Sequence, residues 1–150
     1  MIIEEMPEFM KMLSDITGRQ FNDTQIDVWF SVLNGYTKAD CITALYDHMA
    51  QSSGFLTPAD VATRVKAIRM ARVTAAGTPP NPPEYVDGED WPAYQAMYLS
   101  WQAAWTENVA NGVPPAAANQ LALEKVGQRQ SIEANIPYQN PLVLKGTETH

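Results

Sequence analysis

Residues Asn22 to Asp60 read NDTQIDVWFSVLNGYTKADCITALYDHMAQSSGFLTPAD, and this stretch decides the fold. Ile26, Trp29, Phe30 and Leu33 fall at i, i+3, i+4 and i+7, the spacing of one face of an α-helix. Ile42, Leu45, Tyr46 and Met49 repeat that spacing and predict a second helix. Asn22 with Gln25 three residues on makes a capping box for the first, and Gly35 is expected to close it. Thr37 caps the second, with Asp40 in its first turn, where negative charge complements the helix dipole. The helix it starts is expected over Lys38 to Gln51. Thr57-Pro58-Ala59-Asp60 then opens a further helix.

Working outward, Pro7 suits a first helical turn and Gly18 a left-handed end, which predicts a helix from Pro7 to Thr17 carrying Phe9, Leu13 and Ile16. The helix opened by Pro58 carries Val61, Val65 and Ile68 and is expected to run to about Ala75. Four helices with connections of a few residues imply one shared core. The expectation is an all-α, four-helix bundle over residues 1–76, with Phe9, Leu13, Ile26, Trp29, Phe30, Leu33, Ile42, Leu45, Val61, Val65 and Ile68 inside.

Beyond it, Pro79, Pro80, Pro82 and Pro83 cannot continue a helix and favour an extended, semi-rigid spacer. Glu84, Asp87, Glu89 and Asp90 follow, and residues 77–90 read as a proline-rich, acidic linker. A C-terminal helical segment is expected over 91–134. Trp91, Tyr94, Met97, Tyr98, Trp101, Trp105 and Val109 lie within roughly a 120° sector of its first helix. So dense an aromatic stripe must dock on something: the N-terminal bundle, a second copy of the chain, or another protein. Trp91, Tyr94, Tyr98, Trp101 and Trp105 are therefore the candidate partner-binding residues. Residues 116–134 form a weaker alanine-rich pattern interrupted by Gly127, and 135–150 read as a flexible tail.

Charge narrows the partners. The 150 residues carry a net charge of −7. Seven Lys/Arg stand against nine Asp/Glu up to Ala75, and three against eight beyond it. Phosphate backbones repel such a chain unless its cations cluster. Arg64, Lys66, Arg69 and Arg72 are the one candidate nucleic-acid contact, but they spread over roughly 200° of helix. Weak or no direct nucleic-acid binding is expected.

The single cysteine, Cys41, reads as a small core residue and fits a reducing cytoplasm. No run approaches the roughly 20 apolar residues of a membrane span. No P-loop, dinucleotide fingerprint or nucleophile elbow is present, and His48 and His150 with one cysteine make no zinc set. The expectation is a non-enzymatic protein without metal or cofactor.

The run Gln25-x3-Trp29-x3-Leu33-x2-Tyr36, then Ala44-Leu45-x2-His48, then Phe55-x-Thr57-Pro58-Ala59-Asp60, resembles the phage replicative-helicase loader and inhibitor family. The resemblance covers roughly residues 5–72. It implies an adaptor for DNA replication that binds the hexameric helicase, holds it inactive and delivers it to an origin complex. In that family the part after the folded domain is flexible, whereas here the aromatic helix is strongly patterned. A DNA- or origin-binding protein using the fourth helix, and a structural phage component assembling as a homo-oligomer, are the alternative readings.

Overall fold

The computed structural model of the chain describes residues 1–52 and 54–127. These form six α-helices and one short 3-10 turn, with no strand among the described residues, so the fold is all-α. The helices are α1 (Met6–Thr17), α2 (Asp23–Leu33), α3 (Lys38–Gln51), α4 (Pro58–Ala76), α5 (Trp91–Ala110) and α6 (Pro115–Val126). They divide into two compact units, one of Met1–Ala75 and one from Ala76 onward.

Local chemistry starts the helices of the first unit. Asn22 Oδ1 accepts from the Gln25 amide at 2.8 Å, while Gln25 Oε1 accepts from the Asn22 amide at 2.9 Å. Two backbone donors at the α2 terminus are thereby satisfied. Thr37 Oγ1 accepts from the Asp40 amide at 3.2 Å to begin α3. At α4, Asp60 Oδ2 accepts from the Thr57 amide at 2.9 Å, and Thr57 Oγ1 accepts from the Asp60 amide at 3.3 Å. Gly18, at φ 69°, ends α1 in the left-handed conformation. Gly35 does not play that part for α2. The helix ends on right-handed Asn34, and the Tyr36 amide turns back to the Leu33 carbonyl at 3.0 Å.

One apolar core draws on all four helices of this unit. It takes Phe9 and Leu13 from α1, Trp29 and Leu33 from α2, Cys41, Ala44 and Leu45 from α3, and Val61 and Val65 from α4. Ile26, Phe30, Ile42 and Ile68 pack against its margin, partly buried. The Trp29 ring meets Phe9 at 6.3 Å and Phe21 edge-on at 6.1 Å. The face of α3 is not the one its largest apolar residues suggest. Cys41, Ala44, Leu45 and His48 are buried, whereas Tyr46 is 55% exposed and Met49 also reaches solvent. The buried face is one residue, about 100°, away from the expected one. Small Cys41 and Ala44 let neighbouring helices approach closely, while the Tyr46 hydroxyl stays wet.

Asp40 is the charged group that α3 takes inside. Arg72 Nη1 and Nη2 fork onto its two carboxylate oxygens at 2.7 and 2.6 Å, tying α4 to α3. The Arg72 guanidinium holds the Asp40 carboxyl below the usual carboxylate range, against the opposing effect of burial. Asp60 is lowered too, chiefly by the Thr57 amide and hydroxyl. A carboxylate depressed in the folded state contributes stability fully above its unfolded pKa, about 3.9, and loses it as pH falls through the folded value. Urea unfolding should therefore hold its midpoint down to about pH 4 and weaken below it. Asp40→Asn should cost about 1.5–3 kcal/mol at neutral pH and flatten the acid fall. A variant with the wild-type acid profile would remove Asp40 from this account.

The second unit is a helical hairpin with its preceding loop. Gly112, at φ 92°, and the Pro114-Pro115 pair stop α5 and restart the chain as α6. Val126 at the end of α6 lies beside Ala93, Tyr94 and Met97 near the start of α5, so the two helices run antiparallel. Trp101, Ala104, Trp105, Val109 and Ala110 are buried on α5, and Ala118, Asn119 and Ala122 on α6. The alanines of α6 leave room for two indoles. Within the 77–90 segment, the Pro83 carbonyl accepts from the Tyr94 hydroxyl at 2.7 Å, and Gly88, at φ 93°, turns the chain ahead of α5. The expected helical segment to 134 is observed to Val126 and ends at Gly127, and residues 128–134 and the 135–150 tail lie outside the described residues.

Candidate partner-binding surface

Five aromatic rings form a continuous row along the start of α5 and the loop before it. Tyr85 meets Trp91 at 5.2 Å and Tyr94 at 5.1 Å, both edge-on, and Trp91 stacks on Tyr94 at 5.6 Å. Tyr94 meets Tyr98 at 6.3 Å, and Tyr98 meets Trp101 at 5.3 Å. The spacing follows from helical geometry, since 91, 94, 98 and 101 step by three and four residues. Tyr85 joins because the loop turns back and its hydroxyl donates to the Glu89 carbonyl at 3.1 Å.

The row passes from solvent into a core. Trp91 is 52% exposed and Leu99 63% exposed, Tyr94 and Tyr98 are half-buried, and Trp101 and Trp105 are 1% exposed. This corrects the expectation that all five ring residues of α5 present themselves to a partner. Trp101 Nε1 donates to Asn119 Oδ1 at 3.0 Å, and Trp105 Nε1 donates to the Pro115 carbonyl at 3.1 Å. Each buried indole finds apolar cover and a polar partner on or beside α6, so these two are core. What the stripe docks on, at this end, is the next helix of its own unit.

The open end makes two adjoining hollows that share Tyr94. A groove of about 490 Å³ is lined by Trp91, Tyr94, Gln95, Tyr98 and Leu99. A smaller hollow of about 220 Å³ lies between Glu89, Asp90, Ala93, Tyr94, Met97 and Val126. Sequence reading missed Leu99 and Tyr85. Leu99 lies outside the sector that the large aromatics define, and the place of Tyr85 depends on the loop. Only the proline and glycine positions hinted at that loop.

The cations of α4 lie elsewhere, in the first unit. Arg72 is held by Asp40. Arg64 donates to His48 Nδ1 at 3.4 Å and Gln51 Oε1 at 3.2 Å. Arg69 lies 5.8 Å from the Tyr36 ring centre, and Lys66 is exposed. They are not brought together as one patch, in keeping with their spread around the helix. Cys41 is fully buried, and burial pushes its thiol up to about 11, far from a reactive thiolate. Among the described residues no group of His, Cys, Asp and Glu comes together as a metal set, and no helix is long and apolar enough to cross a membrane.

The fold and surface thus describe an all-α protein with an open aromatic face. No protein-family model matches the chain, and comparisons with curated proteins and with solved structures find no match.

Proposed function

We propose that this protein is a non-enzymatic adaptor that binds another protein through the open aromatic face of α5. The observation that carries the reading is the exposure of Trp91 and Leu99 beside half-buried Tyr94 and Tyr98, around one groove. Rigid aromatic anchors next to an open groove are the residue types that dominate protein interfaces. The partner we propose is a replicative hexameric helicase, on the strength of the resemblance of residues 5–72 to phage loader and inhibitor proteins. The working place is then the cytoplasm of a host cell.

DNA binding through α4 is the weaker reading, because Arg64, Arg69 and Arg72 all have partners within the fold and the net charge opposes phosphate. The test is association with purified replicative helicase by pull-down and light scattering. Wild type is expected to bind, and Trp91→Ala with Leu99→Ser is expected to weaken binding at least about tenfold while circular dichroism stays unchanged. Equal binding by that variant would remove the α5 face from the interface. No association with the helicase would end the loader reading.

A further inference from the structure

The groove and the hollow beside it differ in chemistry, and the difference specifies an occupant. The groove wall is aromatic and aliphatic, from Trp91, Tyr94, Tyr98 and Leu99. The hollow shares Tyr94 and adds Met97, Glu89 and Asp90. Glu89 Oε2 also accepts from the Val86 amide at 3.3 Å, so Asp90 is the acid that leads here. Glu84 and Asp87 lie exposed on the same loop. Among the described residues from Ala76 onward, Lys125 is the one base against six acids, Glu84, Asp87, Glu89, Asp90, Glu107 and Glu124.

We infer that the α5 face takes a cationic segment of a partner protein, with an arginine or lysine seated in the Glu89–Asp90 hollow against Tyr94 and an adjacent apolar side chain in the Trp91–Leu99 groove. The inference rests on the protein-binding reading of that face. It deepens that reading by naming the chemistry of what binds. The hollow has room for one long side chain. A guanidinium there gains a carboxylate and an aromatic ring together, two interactions that reinforce each other away from water. A second copy of this chain is the poorer occupant, because it would bring the same four carboxylates against each other. An acidic or phosphorylated segment is disfavoured for the same reason.

The experiment uses the full chain and a synthetic amphipathic peptide with leucines on one face and arginines beside them, together with a twin carrying glutamate for arginine. Titration is followed by anisotropy of a dye on the peptide. The arginine peptide is expected to bind, more weakly as salt rises, and the glutamate twin is expected not to bind. Trp91→Ala and the pair Glu89→Gln/Asp90→Asn are each expected to weaken the arginine peptide about tenfold. Circular dichroism of each variant should match wild type, and Asp90→Asn alone, which removes no cap bond, keeps the test valid if the Glu89 change disturbs its loop. Equal binding of both peptides would overturn the inference, as would arginine-peptide binding that survives Trp91→Ala, which is general attraction of opposite charges. Helicase binding that depends on Trp91 and ignores Glu89, Asp90 and salt would overturn it while leaving the adaptor reading in place. Trp91- and Asp90-dependent peptide binding without helicase binding would uphold it and redirect the search for the partner.

Discussion

Trp101→Ala is expected to melt the α5–α6 hairpin. The indole is 1% exposed, the largest side chain of that unit's core with Trp105, and its Nε1 holds the buried Asn119 Oδ1 at 3.0 Å. Truncation removes the apolar contacts, opens a cavity against Ala118 and Ala122, and leaves the Asn119 oxygen with no donor. Losses of this kind cost about 3–5 kcal/mol, with the stranded polar group adding to the upper end. A helix pair with a small core has little stability to spare. The expected result is a loss of helical circular dichroism and early, broadened unfolding of this part, with Trp101→Phe less damaging. A Trp101→Ala protein with wild-type helicity and melting would show that the indole does not hold the hairpin. For the same reason this substitution does not report on the binding surface, and Trp91 is the residue that does.

Trp29→Ala should have an effect of the same size in the first unit. Trp29 is 2% exposed and lies between Phe9 on α1 and Phe21 in the α1–α2 connection, so one side chain holds three segments together. Its removal should cost about 3–5 kcal/mol. A unit of about 75 residues has a total stability of the same order, so α1 and α2 should unfold together rather than fray. Urea denaturation followed by circular dichroism measures it. A loss below about 1 kcal/mol would mean that the core repacks around the gap and that Trp29 is not its organiser. Trp29→Phe, which keeps a ring against Phe9 and Phe21, should fall between wild type and alanine.

These two tryptophans show how far the sequence could be read. Trp29 was legible because its stripe, Ile26, Phe30 and Leu33 included, lies in a short helix with one apolar face. Trp101 and Trp91 belong to a single stripe on one long helix, and nothing in their spacing separates them. What separates them is the packing of α6, whose buried alanines and Asn119 receive the second half of α5. Near the start of α5, Val126 lies beside Ala93, Tyr94 and Met97, and Trp91, Gln95 and Leu99 stay open. The α3 face shows the same limit. Ile42, Leu45, Tyr46 and Met49 have the better apolar period, yet Cys41, Ala44 and His48 turn inward, because the space between helices admits small side chains and a histidine that accepts from Arg64.

The sequence by itself determined the all-α class and the starts of α2, α3 and α4. Those features rest on bonds between residues three apart, as in Asn22 with Gln25, Thr37 with Asp40 and Thr57 with Asp60, and such bonds form wherever the chain turns. Tertiary structure alone decided which face of α3 is inside, that Arg72 is committed to Asp40, and that only one end of the α5 aromatic row meets solvent. Each of these depends on what a second helix brings into contact. Periodicity records which residues share a side of a helix, and only packing settles which part of that side is covered.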